Sequence, residues 1–122
     1  MTVALYGGVI DEHARNPRNR GALERPDAVH EGTNPLCGDK VRIELRLEGG
    51  RIAAVRFQAE ACMVSVASAS ILTGLLEGLG SAEARGFPRE KLLRALQAEL
   101  RPSRVACALL PLEVAVAALG AP

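Results

Sequence analysis

Three cysteines carry the most reactive chemistry in this sequence: Cys37, Cys62 and Cys107. Asp39 follows Cys37 by two residues across Gly38, near enough to lend an oxygen to a metal held by that thiol. A thiolate is both a nucleophile and a soft metal ligand. There is no Cys-x-x-Cys pair, so the spacing alone does not spell out a zinc site. Two readings therefore stand open. Each cysteine could serve as a small buried hydrophobe, which is common for free thiols. Alternatively, the three could meet in one thiolate site.

The elements that must position them can be read from periodicity. Val3 to Ala14 carries apolar residues at helical spacing, and Asn16-Pro17 ends that helix because the residue before proline avoids the helical region. A polar, irregular stretch follows, with room for a short edge strand around Ala28 to His30. Val41 to Leu47 alternates apolar and charged residues, Gly49-Gly50 marks a hairpin turn, and Arg51 to Phe57 reads as the returning strand. Val64 to Leu79 predicts a buried helix and Ser81 to Gly86 one short helical turn. Pro88 to Leu100 predicts an amphipathic helix that Pro102 interrupts. Ala108 to Leu119 is apolar nearly all round. Because proline is tolerated in the first turn of a helix, Pro111 predicts a start at about Cys107 or Ala108. The order implies one α+β domain over residues 1–122, with about three antiparallel strands and helices packed on one face.

On this map all three thiols fall at junctions between elements. Antiparallel pairing places Cys37, before the first clear strand, and Cys62, after the second, at the same edge of the hairpin. Cys62 and Cys107 are each expected at a helix N-terminus, where unpaired N–H groups and partial positive charge lower a thiol pKa.

Composition excludes several functions. Tyr6, Phe57 and Phe87 are the only aromatics, too few for the stacking platforms of single-stranded nucleic-acid binders. The net charge is +1 with scattered arginines, so no basic stripe marks a phosphate-gripping surface. The first residues lack the basic region of a secretory signal, and no uninterrupted apolar run reaches bilayer-spanning length. A reducing, cytoplasmic setting is expected, with the odd number of cysteines free or metal-bound.

Taken together, the segments resemble the U-type iron–sulfur scaffold family: IscU, SufU and the N-terminal domain of NifU. The resemblance covers almost the whole chain. Tyr6…Val9-Ile10…His13…Asn16-Pro17-Arg18-Asn19-Arg20-Gly21 is similar to the family's opening helix and its Asn-Pro-Arg-Asn-x-Gly element. Asn34-Pro35-Leu36-Cys37-Gly38-Asp39 matches Asn-Pro-x-Cys-Gly-Asp. Phe57 to Ser70 resembles the element around the second cysteine, and Arg104 to Leu110 the segment around the third. The resemblance implies that Cys37, Asp39, Cys62 and Cys107 ligate a transient [2Fe–2S] cluster or Zn²⁺. It also implies sulfur arriving as a persulfide from a cysteine desulfurase, with Cys37 and Cys107 as candidate acceptors, and delivery to iron–sulfur acceptor or carrier proteins. The chain would then act as a scaffold or sulfur acceptor and not as an enzyme, with a sulfurtransferase-like role left open.

The departures are informative. Ala106 stands where IscU-type members carry histidine, while Arg104, three residues before the third cysteine, is SufU-like. The stretch from Cys62 to Cys107 is short, as in IscU. Leu100 to Arg104 only loosely resembles the segment an Hsp70-type chaperone reads, which leaves that partner doubtful. Ala59 and Ala61 replace two glycines of the family pattern, and ordinary extended backbone is expected there. His13 and His30 fit surface or capping roles, and Ser65, Ser68 and Ser70 fit caps and close packing. Three functions remain: a cluster scaffold, a zinc-bound sulfur acceptor, and a structural zinc domain for protein interaction. A cysteine hydrolase is disfavoured because no histidine is placed to act as base.

Overall fold

In the computed structural model, which describes residues 6–120, a hairpin with a third strand along its edge forms an antiparallel sheet in the order β1-β2-β3. The strands are β1 (Ala28–Asn34), β2 (Asp39–Glu48) and β3 (Arg51–Glu60). Five helices accompany them: α1 (Gly8–Arg15), α2 (Met63–Leu76), α3 (Ser81–Arg85), α4 (Arg89–Ala95) and α5 (Pro102–Leu119). Val3, expected in the first helix, lies outside the described residues.

The alternation of β2 is the basis of the sheet. Val41, Ile43 and Leu45 are fully buried on one face, joined by Ile52, Val55 and Phe57 of β3. Against that face α5 packs on β1 and β2, and α2 packs on β3. The turn Gly49-Gly50 has positive φ at both residues, the conformation a tight hairpin of this hand requires. Gly32 of β1 is equally specific: a Cβ there would stand 2.7 Å from Val114 Cγ2, so the missing side chain lets α5 close onto the strand.

A second apolar cluster joins the helices, with Ile10, Val64, Ala67, Leu96, Cys107 and Ala108 at its centre. α1 is pinned to α2 by polar contacts: His13 Nδ1 and the Arg18 backbone N–H both lie 2.8 Å from Ser70 Oγ. Burial, followed by the charge of Arg18, lowers the His13 pKa. His30 is exposed on β1. Residues 19–21 run beside β3, with the Phe57 N–H donating to the Asn19 carbonyl (3.0 Å) and the Gly21 N–H to the Phe57 carbonyl (2.9 Å).

Several boundaries differ from the sequence reading. β1 extends to Asn34 because it pairs with β2 along its whole length. α2 stops at Leu76, where Glu77 turns extended and Gly78 takes φ of +87°. α4 stops at Ala95, and Gln97 at φ +51° turns the chain away. The largest correction concerns α5. It starts at Pro102, in the first helical position where proline is preorganised, and carries Pro111 in its interior. An interior proline removes the N–H that would bond the carbonyl four residues earlier, at a cost of about 3 kcal/mol in an unsupported helix. Here that carbonyl belongs to Cys107, and the Ser65 hydroxyl, 2.9 Å away, takes it instead.

α5 is also long and apolar enough, by length and composition, to cross a membrane. Its apolar residues Leu109, Leu110, Leu112, Val114 and Ala115 are buried within the fold. It is the central core helix of this domain.

Candidate functional site

Three elements converge where the sheet meets the N-terminus of α2 and the second turn of α5. The β1–β2 connection is a tight turn. The Gly38 N–H donates to the Asn34 carbonyl (2.8 Å), and the Leu36 N–H to Asn34 Oδ1 (3.1 Å). Gly38 sits at φ +73°, which glycine adopts without strain. This turn holds Cys37 exposed at its tip, beside Leu36, whose residue is 92% exposed.

Asp39, the first residue of β2, points inward and is only 3% exposed. Its Oδ1 accepts the Cys62 backbone N–H (2.9 Å), and its Oδ2 accepts the Ser65 hydroxyl (2.7 Å). The carboxylate thus caps α2 from another strand, where N–H groups and helix dipole favour negative charge. Burial pushes its pKa up, yet the bonds from Ser65, the Cys62 N–H and the Cys37 and Cys107 thiols outweigh burial and bring it to about 2.

Cys62 is the N-cap residue of α2, as its sequence position predicts. It is half-buried, with Sγ 3.4 Å from Asp39 Oδ2. Cys107 is fully buried, and its Sγ stands 3.2 Å from Cys37 Sγ. Ligand atoms of Cys37, Asp39 and Cys107 all lie within 4.8 Å of one another, and Cys62 adjoins them through Asp39. The four residues are therefore brought together, three of them in a tight group.

One expectation fails. Because α5 starts at Pro102, Cys107 lies in the second turn and has no free helix N-terminus beside it. Its pKa is raised, not lowered. Burial comes first, and hydrogen bonds with Cys37 and Asp39 add to it, so without a metal the thiol keeps its proton.

Arg104 lies one turn before Cys107 on α5 and holds its proton more tightly than a free arginine. Its proximity to Cys107 is the main cause. With Tyr6, Glu99, Arg101 and Ser103 it lines a cavity of about 410 Å³. Ala106 is exposed and offers no donor atom to the cluster. Lys40 is also turned away, its Nζ 3.7 Å from Glu31 Oε2. Ala59 and Ala61 adopt no positive φ.

Ser65 is the site residue that periodicity conceals. Two signals point to it: it sits one turn after Cys62, and Pro111 sits four residues after Cys107. The second frees the carbonyl that a buried hydroxyl must satisfy.

The NifU-like N terminal domain family matches residues 5–121. The chain is 40% identical over 74 residues to the zinc-dependent sulfurtransferase SufU of Bacillus subtilis, a match that spans 61% of this chain and 50% of that protein's length. It is 33% identical to the iron–sulfur cluster assembly enzyme IscU of Drosophila melanogaster, over 98% of this chain and 79% of that protein. Among solved structures it is similar to FiSufU of Fervidobacterium islandicum AW-1, described as an iron–sulfur cluster assembly scaffold protein for the SUF system. There the TM-score is 0.80 at 25% identity, covering 93% of this chain and 96% of that one.

Proposed function

Since the chain belongs to the NifU-like N-terminal domain family, we propose that Cys37, Asp39, Cys62 and Cys107 form one site that accepts sulfur and iron and assembles a transferable [2Fe–2S] cluster. The observation that carries this reading is the meeting of Cys37 Sγ and Cys107 Sγ at 3.2 Å, beside a buried carboxylate that also touches Cys62. The donor set fits a thiophilic metal or cluster: three soft sulfurs and one hard oxygen. Two sulfurs on one tetrahedral zinc stand roughly 3.7 Å apart, so the 3.2 Å contact needs to open by only about half an ångström. A bound zinc would hold the thiolates deprotonated and in register.

Exposure supports an order of events. Cys37 is the most exposed of the three thiols, Cys62 is half-buried and Cys107 is sealed. The Cys37 thiolate attacks the outer sulfur of a persulfide on a cysteine desulfurase. The donor's S–S bond breaks, the donor cysteine leaves as thiolate, and Cys37 becomes the persulfide with no net redox change. Cys107, 3.2 Å away, is the next acceptor in reach. Arg104, beside Cys107, offers positive charge to the anions this exchange creates. Asp39, the one oxygen ligand among three thiolates, is the weak point through which a cluster can leave.

Anaerobic incubation with iron, cysteine and a desulfurase should give a chromophore absorbing in the visible. A correctly folded protein that stays colourless would contradict cluster assembly. A second reading, a zinc-dependent sulfur acceptor, is favoured by Ala106 and Arg104 at the third cysteine and by the likeness to SufU. It predicts about one tightly held zinc per chain and faster desulfurase turnover. Unchanged stimulation by Cys37→Ala, Cys62→Ala and Cys107→Ala would exclude it.

A further inference from the structure

Two buried serines on α2 reach across to α5. The Ser68 hydroxyl donates to the Ala108 carbonyl, and Ser65 Oγ lies 2.9 Å from the Cys107 carbonyl. Both side chains are sealed from solvent. They differ in what else they touch: Ser65 also lies 2.7 Å from Asp39 Oδ2 and 3.9 Å from Cys62 Sγ, whereas the Ser68 hydroxyl bonds only the Ala108 carbonyl. A hydroxyl carries a single proton, so Ser65 offers that proton to two acceptors. One is a carboxylate on β2. The other is the carbonyl that Pro111 strips of its helical partner.

We propose that Ser65 is a positioning residue that sets the orientation of Asp39 toward the three thiols. This rests on the reading of Asp39 as a ligand. With Oδ1 tied to the Cys62 N–H and Oδ2 tied to Ser65, the carboxylate cannot rotate freely, and it faces the thiols before any metal arrives. Groups that fasten a ligand in this way typically change metal affinity 10- to 100-fold when removed. Ser65 also joins the three ligand-bearing elements, since it sits on α2 and contacts β2 and α5. If the serine served only to bind α2 to α5, Ser68 would be its equal.

The test compares zinc affinity and the visible spectrum of the Co²⁺-substituted protein in Ser65→Ala, Ser68→Ala, Asp39→Ala and the Ser65→Ala/Asp39→Ala double variant. Each serine variant loses one α2–α5 bond, so Ser68→Ala controls for structural damage. Ser65→Ala should weaken zinc binding by about tenfold or more and shift the cobalt bands, while Ser68→Ala leaves both unchanged. In the Asp39→Ala background the Ser65 substitution should cost nothing further. Equal losses in the two serine variants, or additive losses in the double variant, would overturn the role of Ser65. If Asp39→Ala itself left zinc affinity unchanged, the ligand reading would fall and the serine's role with it. A normal Asp39→Ala loss with no Ser65→Ala loss would overturn only the serine's role.

Discussion

The two sides of the thiol cluster are built on opposite terms. On one side, Cys37 rides an exposed turn with Leu36 in solvent beside it, and backbone hydrogen bonds to Asn34 hold the turn. On the other side, Cys107 and Ser65 are fully buried between α2 and α5, and Asp39 is nearly so. The exposed side can change partners at little cost to the fold. The buried side cannot move without leaving polar groups unsatisfied in the core. The proposed role, taking sulfur from another protein and holding it until a cluster is passed on, calls for one face of each kind.

The largest expected effect tests this division directly. Cys37→Ala should abolish capture of sulfur from a desulfurase, while Cys107→Ala should leave a persulfide on Cys37. Mass spectrometry of the intact protein reads the added sulfur atom. Capture that survives Cys37→Ala would move the entry point to the half-buried Cys62 or to the sealed side.

Acid comes next. Asp39 has its pKa depressed from 3.8 to about 2, so its contribution is present above pH 4 and is lost as pH falls from about 4 toward 2. The shift corresponds to about 2 kcal/mol. Glu44, also buried, has a lowered pKa because bonds from the Leu23 N–H and Arg42 outweigh its burial, and it adds loss in the same direction. Chemical denaturation at pH 7 and pH 2 should therefore show a smaller acid loss in Asp39→Asn than in the parent protein. An identical loss would remove Asp39 from the network.

Smaller again is the cost of the buried serine bonds. Ser68→Ala leaves the Ala108 carbonyl without its serine donor and should lower stability by about 1 kcal/mol in urea. At the exposed end, Leu36→Ser should stay within about 0.5 kcal/mol of the parent protein, because its residue is 92% exposed. A larger loss would mean the turn is packed more firmly than its exposure indicates.

Much of this was legible in the sequence. The alternation of Val41 to Leu47 and the Gly49-Gly50 turn announced the hairpin, and the hairpin placed Cys37 and Cys62 at one edge. Cys62 fell at the start of α2 as expected. Cys107 was right in its neighbourhood and wrong in its electrostatics. The error came from treating Pro111 as a marker of the first turn, when Pro102 opens α5 and a serine from another helix compensates for Pro111. Such compensation is a contact between residues far apart in sequence, which periodicity does not encode. The sequence pattern offers Ser65 only a capping or close-packing role for the same reason: its hydroxyl matters only once β2 and α5 are folded around it. The polar stretch of β1 was undercounted because its pairing with β2, not its own pattern, makes it a strand.

The proposed function requires all four residues to hold one metal ion or cluster. Zinc K-edge X-ray absorption of the metal-loaded protein measures this directly. The spectrum should show three sulfurs at about 2.3 Å and one oxygen at about 2.0–2.2 Å, with one sulfur lost in each of Cys37→Ala, Cys62→Ala and Cys107→Ala. Two sulfurs or fewer in the parent protein, or a sulfur count that Cys62→Ala does not change, would contradict it.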